Sequence, residues 1–503
     1  MSGKQLISSK TSDRREQFKP ANKPVWTVIS VYSLVIVLLL IAVPRLLILI
    51  FPLSSLSVGI FLYRRYPIHY IGFTWWMWFL GTFIKRLIDY RCGGITPWPY
   101  HFTPLLVTSI TIATLLRYLP RTYNRDGFPF FLCFLTIFYG FFVGLIRQPT
   151  ADYDREILIL LNWLSPICFG FHLFVNWKQY PRYRQLYQQV FFWSVLVMGT
   201  YGIVQFLIAP RWDTLFMIEV SSNGYSSYMG VPEPFGIRVW STMGNPMTFA
   251  FNLLPSLLLL FVSRHRLRFA AGIIGYLVLL LSQVRTAWYT MLITITWFFF
   301  SLKQRYQIRF ILAISLLVVL VIPLVMFGPF SEIIHSRFET FSNIENDGSL
   351  QARIASRNRA IEYIFSDFFG WGLIAPGQAP EAQDADKGLF SVMDNGYLMI
   401  LVSFGLFAAI VYVLGIALLV TKLFQIKHHD LFIVAARAIV MGSLLRMFTS
   451  DITTEQYAMP IWGFLGVGLA SYKYYMYQSY SSKQEPNSVV EQISLKRINN
   501  NTT

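Results

Sequence analysis

Stretches of roughly 20 largely apolar residues recur along this chain from residue 25 to residue 471, each of the length needed to cross the hydrocarbon of a bilayer. Charged residues make up only 13% of the 503 positions and hydrophobic ones 55%, where an ordinary soluble chain carries about 25% charged residues. The chain lacks the polar surface to cover itself in water, and its mean hydropathy of +0.49 agrees. The expected fold is an all-α polytopic integral membrane protein.

About fourteen spans can be read: 25–43, 45–63, 69–84, 101–119, 128–146, 157–177, 188–208, 245–263, 268–283, 286–301, 309–328, 394–420, 431–448 and 455–471. Pro44 and Pro52 interrupt the first two, which suits a kinked hairpin. The net charge of +17 comes from short Lys/Arg clusters between apolar runs, the pattern of cytoplasmic loops, so nucleic acid is not an expected partner. The clusters at Arg64-Arg65, Arg117/Arg121/Arg125, Lys178/Arg182/Arg184, Arg264/Arg266/Arg268, Lys303/Arg305/Arg309 and Lys422/Lys427 all fall on one side. The positive-inside rule puts that side, with both termini, in the cytoplasm. Lys85, Arg86 and Arg91 break the pattern on the outside, which means either a misplaced span boundary or a miscounted hairpin. Cys92, Cys133 and Cys168 have neither metal-ligand spacing nor a disulfide framework, and Cys133 and Cys168 read as packing residues. No cleavable signal peptide is evident: residues 1–24 are too long and polar to lead one, and no small-residue cleavage site follows the first apolar run. The resulting division is a basic cytoplasmic tail (1–24), N-terminal transmembrane helices (25–235), a second transmembrane region (236–471) and a C-terminal tail (472–503).

Two outer loops, 209–244 and 329–393, are far longer than a connector needs, and such loops are usually functional or disordered. The second contains a helical stretch, 350–368, which Asp347 or Ser349 can cap. Its Ile354, Ile361, Ile364, Phe365 and Phe368 form an apolar face suited to lying on a membrane surface. The outer side is also rich in arginine: Arg238, Arg285, Arg337, Arg353, Arg357 and Arg359. A guanidinium fork matches phosphate in bidentate fashion, so several converging on one cleft would bind a lipid-linked pyrophosphate. Snorkelling to lipid headgroups is the plainer account of Arg353, Arg357 and Arg359. Arg285 sits at the hydrocarbon edge with few polar neighbours, where an ionisable group is a functional candidate by default. Arg437 lies about two turns inside span thirteen, where snorkelling suffices, and Arg446 near its outer end can join the cleft. Candidate bases are Asp394, which as a helix cap has a structural role of its own, His335, for which a solvated loop position is the commoner explanation, and Glu233, which reads as a turn residue.

Five motifs occur in order: Gly236-Ile-Arg-Val-Trp-Ser-Thr-Met-Gly-Asn-Pro246, Ser282-Gln-Val-Arg285, Asp347-Gly-Ser-Leu-Gln-Ala-Arg353, Phe369-Gly-Trp-Gly372, and Asp394-Asn-Gly-Tyr397 leading into Phe404-Gly-Leu406. Over residues 236–410 the chain resembles the O-antigen ligase and polymerase family of bacterial envelope polysaccharide assembly. The resemblance implies a metal-independent, inverting glycosyl transfer on the periplasmic face of the inner membrane, with no cofactor. It also implies a donor glycan on undecaprenyl pyrophosphate, gripped by Arg285 and Arg353; the outer-face arginines Arg357 and Arg238 are further candidates for the same grip, and a chain-length regulator is a candidate partner that the sequence does not decide. Ligases of the family carry His-Asn where this chain has Asp394-Asn395. That departure favours the polymerase branch over the ligase, and leaves Asp394 and His335 as alternative catalytic bases.

Two other classes fit the residues less well. A flippase of lipid-linked oligosaccharide would place ionisable groups at mid-span, with broken helices in matched positions, whereas these spans carry almost no charge apart from Arg437. Transferases that use polyprenyl phosphate-sugars usually place acids in the first outer turn, which here reads Val43-Pro-Arg-Leu46.

Overall fold

The computed structural model describes residues 23–94, 102–147, 153–220, 228–326, 364–373, 395–426, 430–450 and 455–500, and residues 354, 357–358 and 360–362. The described residues are overwhelmingly helical. α1 is Lys23–Ala42, and a short 3-10 turn, Pro44–Leu46, leads into α2, Leu47–Arg65, which accommodates Pro52. There follow α3 (Pro67–Cys92), α4 (Thr103–Ser109), α5 (Ile112–Thr122), α6 (Phe128–Arg147), α7 (Tyr153–Val175), α8 (Tyr180–Ile208) and α9 (Arg211–Val220). The second half contains α10 (Pro246–Val262), α11 (Arg268–Leu281), α12 (Arg285–Phe300), α13 (Gln304–Met326), α14 (Gly396–Phe424), α15 (Leu431–Arg446) and α16 (Glu455–Asn500). Among the described residues, six stretches, Lys23–Ala42, Pro44–Arg65, Phe128–Arg147, Tyr153–Val175, Trp177–Ile208 and Gly396–Phe424, are long and apolar enough to cross a membrane. The protein is therefore an all-α polytopic membrane protein.

Each expected span falls on a helix, but the fourth is broken into α4 and α5 and the third ends later than expected. α3 runs on to Cys92, so Lys85, Arg86 and Asp89 lie inside it and are buried. All three basic residues that broke the loop-charge pattern, Arg91 included, thus lie within α3 rather than in a loop; the boundary at residue 84 was too early. Lys85 is paired with Asp89 one turn on, and Arg86 with Asp213 of α9. The carbonyls of Leu40 and Ile41, at the end of α1, accept from Arg91 (3.2 and 2.7 Å), where a cation also answers the helix dipole.

Aromatic rings fill the interior between α3, α8 and α16. Trp75 meets Phe191 at 4.8 Å between centroids, and Tyr187 meets Phe464 at 5.4 Å. Interhelical hydroxyl bonds join Tyr32 to Ser55 (2.7 Å) and Ser194 to Ser256 (3.0 Å), the polar contacts that tie helices where apolar burial gives no preference. The outer surface is the reverse of a soluble protein's: Leu38, Leu53, Phe142, Ile146, Leu292, Phe300, Leu312 and Phe407 are exposed, as lipid-facing side chains are. Cys133 and Cys168 are buried, as expected of packing residues.

The two ends of the bundle are separately tied. At one end Asp430 accepts from Tyr180 (3.2 Å) and pairs with Arg184 (2.9 Å), while Asp126 pairs with Lys473 (3.1 Å) and its carbonyl accepts from Lys422 (3.1 Å). Arg437 donates to the carbonyls of Leu423 (3.1 Å) and Ile426 (2.6 Å). It caps the C-terminus of α14 rather than merely snorkelling. At the other end the amide of Gly396 donates to Met447 (2.8 Å) and the hydroxyl of Thr248 bonds that of Tyr457 (2.7 Å).

Candidate active site at the Arg285 end

The site is built where helices begin and end at this second end of the bundle. Arg285 is the first residue of α12; its N-cap, Val284, makes no side-chain capping bond. The chain turns from α11 into α12 within three residues, and Gln283 takes a positive φ of 55° to do so. The indole of Trp288 donates to the Leu279 carbonyl (3.1 Å) and clamps that turn. Arg285 is half-buried, a guanidinium set at a helix N-terminus where anions are favoured.

Residues 229–240 lie alongside. Gly230 and Ile237 form an isolated antiparallel bridge across the Pro232-Glu233-Pro234 turn, with Glu233 exposed in the turn. Gly230 has a φ of 92°, and a Cβ there would collide with the Gly236 carbonyl, so glycine is required. The amide of Val239 donates to the Leu281 carbonyl (3.1 Å). That bond puts Arg238 and Arg285 at the same end, beside the α11–α12 turn. Arg238 donates through Nη1 to the Tyr228 carbonyl (3.2 Å), and its buried Nε has no protein partner.

Behind this hairpin lies a polar network that the sequence reading did not identify. Arg86, fully buried, reaches Asp213 Oδ1 at 2.5 Å and also donates to the Ser241 carbonyl. Asp213 Oδ2 accepts from Tyr201 (2.7 Å) and Gln205 (2.9 Å), while Gln205 Oε1 takes the amides of Trp240 (3.0 Å) and Ser241 (2.8 Å). The first long loop is therefore bolted to α3 and α8. Arg86 and Asp213 lie 127 residues apart, so no local pattern announces the pair.

On the far side, α14 starts at an Asn395 N-cap whose Oδ1 accepts from Tyr397 (3.0 Å) and Leu398 (3.1 Å). The capping role expected of Asp394 thus falls to its neighbour. Asn395 Nδ2 also donates to the Phe448 carbonyl (3.2 Å), which brings the start of α14 beside Arg446. Arg446 is buried with its guanidinium 3.3 Å from the centroid of Phe251 and 5.1 Å from that of Tyr457. It joins this end of the bundle through cation–π contacts.

The return of the second long loop is held by glycines. Trp371 and Gly372 donate to the carbonyls of Val402 (2.8 Å) and Ser403 (3.0 Å), and Leu406 donates to Phe368 (3.0 Å). These bonds form where α14 breaks at Gly405 (φ 69°). A Cβ on Gly370 would strike the Gly405 backbone, and one on Gly372 the backbone of Gly144 in α6. The Phe369–Gly372 and Phe404–Leu406 motifs thus dock the loop into the bundle rather than supplying reactive groups. Within the expected 350–368 helix, the described residues 354, 357–358, 360–362 and 364–366 are helical. Ala360 and Ile364 are buried there, whereas Ile354, Ile361, Phe365 and Phe368 stay exposed. Arg357 is exposed. Asp367 pairs with Arg147 of α6. Arg353, His335 and Asp394 lie outside the described residues, as do Arg337 and Arg359.

The fold and this end of the bundle define a polytopic membrane protein with Arg285 at a helix start, Arg238 in the adjoining hairpin and Arg446 at a helix end on one face. Residues 269–413 match the family model described as O-antigen ligase. The match contains Arg285, His335, Arg353, Arg357 and Asp394, and begins after Arg238. No curated protein matches the chain. The match covers part of the chain and supports the resemblance to the O-antigen ligase and polymerase family read from the motifs, and with it a function of that general type.

Proposed function

We propose that the protein is a glycan polymerase that joins repeat units carried on undecaprenyl pyrophosphate. The observation that carries this reading is Arg285 at the uncapped start of α12, in a stretch, residues 234–331, that contains no Asp or Glu. A guanidinium set at a helix N-terminus favours a dianionic leaving group. Arg353 and Arg357, brought by the second long loop, and Arg238, from the first, complete the grip. The acceptor hydroxyl attacks the anomeric carbon of the donor sugar and its proton passes to Asp394 or His335. The new glycosidic C–O bond forms as the anomeric C–O bond to pyrophosphate breaks on the opposite face, inverting the centre. Charge develops on the departing lipid pyrophosphate, where fixed cations lower the barrier. The side of the membrane is the periplasmic one, with the Arg264 and Lys303 loops and both termini cytoplasmic.

Asp394-Asn395, in place of a His-Asn pair, favours the polymerase; the description of the matched family, O-antigen ligase, favours transfer to a separate acceptor. The size profile of lipid-linked and surface glycans in a strain lacking the protein separates them. Single lipid-linked repeats with long polymer missing are expected. Long polymer stranded on its lipid carrier would instead make it a ligase, and an unchanged profile would remove both. In complementation, Arg285→Ala and Arg353→Ala should each lower polymer output by about a hundredfold or more, the loss seen on removing one transition-state charge donor, with normal protein in the membrane. Lysine at either position should recover little, because a point charge does not replace the bidentate fork.

A further inference from the structure

At the end of the bundle remote from Arg285, α10, α11, α12 and α13 enclose a cavity of about 370 Å3, within the range of small-molecule sites. Arg264, Arg268 and Arg309 line it at the loop end, and Leu257, Ala313 and Leu317 line its apolar depth. α11 and α13 both start at this end, and Leu267, the N-cap of α11, makes no side-chain capping bond, so helix dipoles add to the positive field. Arg268 is held in place by donating to the Ser263 carbonyl (3.0 Å). Arg264 and Arg309 have no ion pair or hydrogen bond among the described residues.

Residues 234–331 supply no carboxylate to answer these charges. Leu431 of α15 also lines the cavity, but its neighbour Asp430 is committed to Arg184 and Tyr180. The second, independent feature lies deeper: Tyr276 lines the same cavity, and its buried hydroxyl has no hydrogen-bond partner. An orphaned buried hydroxyl costs free energy unless something satisfies it. Tyr276 lies about 12 Å along α11 from Arg268, and helical side chains lean back toward the N-terminus. That places its hydroxyl below the arginines at the depth of an ester linkage rather than a phosphate. Loop topology alone accounts for arginines at this end, but not for a cavity leading from them to an unsatisfied hydroxyl.

We propose that this cavity binds one anionic phospholipid. Its phosphate sits among Arg264, Arg268 and Arg309, a glycerol-ester carbonyl accepts from Tyr276, and an acyl chain runs along Leu257 and Leu317. The site is separate from the arginines at the Arg285 end, roughly 20 Å away along α11, and does not depend on the transfer reaction assigned to them.

The test is native mass spectrometry of the full chain in detergent, titrated with dioleoylphosphatidylglycerol or dioleoylphosphatidylcholine. One phosphatidylglycerol should be retained, in preference to phosphatidylcholine by roughly tenfold or more, as expected for two or three arginines at one phosphate. Arg264→Gln/Arg309→Gln, which removes no hydrogen bond or ion pair among the described residues, should erase that preference. Tyr276→Phe, which keeps the ring, should weaken retention severalfold at unchanged thermal stability. Equal retention of the two lipids, or full retention by the arginine variant, overturns the site. Displacement of the lipid by millimolar inorganic phosphate would assign the arginines to a soluble anion and overturn the lipid reading.

Discussion

Among single residues, Arg86 shows how charge in a membrane protein is absorbed by structure. Its head group and that of Asp213 are wholly buried, and a buried pair is weak evidence of stability because desolvation offsets attraction. Removing one partner is a different matter, since an uncompensated charge remains. Arg86→Met is expected to cost about 3–5 kcal/mol, read as a lower unfolding midpoint in detergent. Arg86→Met/Asp213→Asn should recover part of that loss because no charge is stranded. A double variant as unstable as the single one would mean that the hydrogen bonds to Ser241, not the charge, hold the loop. Lys85, Arg91 and Arg147 are likewise engaged by Asp89, the α1 carbonyls and Asp367. An arginine count on the outer face therefore overstates the binding site. The place of Arg285 between two helices was legible because a charge in an apolar run has few local explanations, whereas Arg86 reads as a loop residue because its partner is remote in sequence.

Helices follow from the apolar windows almost one for one, because 20 apolar residues in lipid have few alternatives to a helix. What the windows miss is interruption. α4 and α5 replace one span, and α9 has no apolar run long enough to announce it. The break of α14 at Gly405 hid in an unbroken apolar sequence, visible only as the Phe404-Gly-Leu406 motif. There three glycines, Gly370, Gly372 and Gly405, hold positive φ of 81°, 104° and 69° against neighbouring backbone. Gly370→Ala and Gly405→Ala should each undock the end of the long loop. The expected sign is faster limited proteolysis after residue 368, with polymer output falling as the loop arginines lose their position. Unaltered proteolysis with normal output would show that the backbone relaxes around an added methyl. Gly396→Ala, in ordinary helical geometry at the start of the same helix, serves as the control for a general loss of folding.

The whole molecule separates two kinds of positive charge, and that asymmetry can be tested without knowing any substrate. Along the chain, helices alternate in direction, so the loops at 264–268 and 303–309 share one end while Glu233, Arg285 and Arg357 belong to the other. The first end is basic with only Asp126 and Asp430 as acids among the residues that tie it, the distribution that keeps loops on the cytoplasmic side. The second carries acids beside its cations, in Asp89, Asp213 and Asp367, and would not be retained by charge. Single cysteines at Glu233 and Arg357, both exposed, should therefore react with a membrane-impermeant maleimide in cells opened only at their outer envelope. Cysteines at Arg266 and Lys303, also exposed, should react only after lysis. Cys133 and Cys168 are buried, so a Cys92→Ser background is enough to keep the reading clean. The opposite labelling pattern would place the Arg285 end in the cytoplasm, where nucleotide sugars rather than periplasmic lipid-linked glycans are the available donors, and the polymerase proposal would fall with it. Labelling at Arg357 but not Glu233 would separate the two long loops, leaving Arg238 unable to share a donor with Arg353 and Arg357.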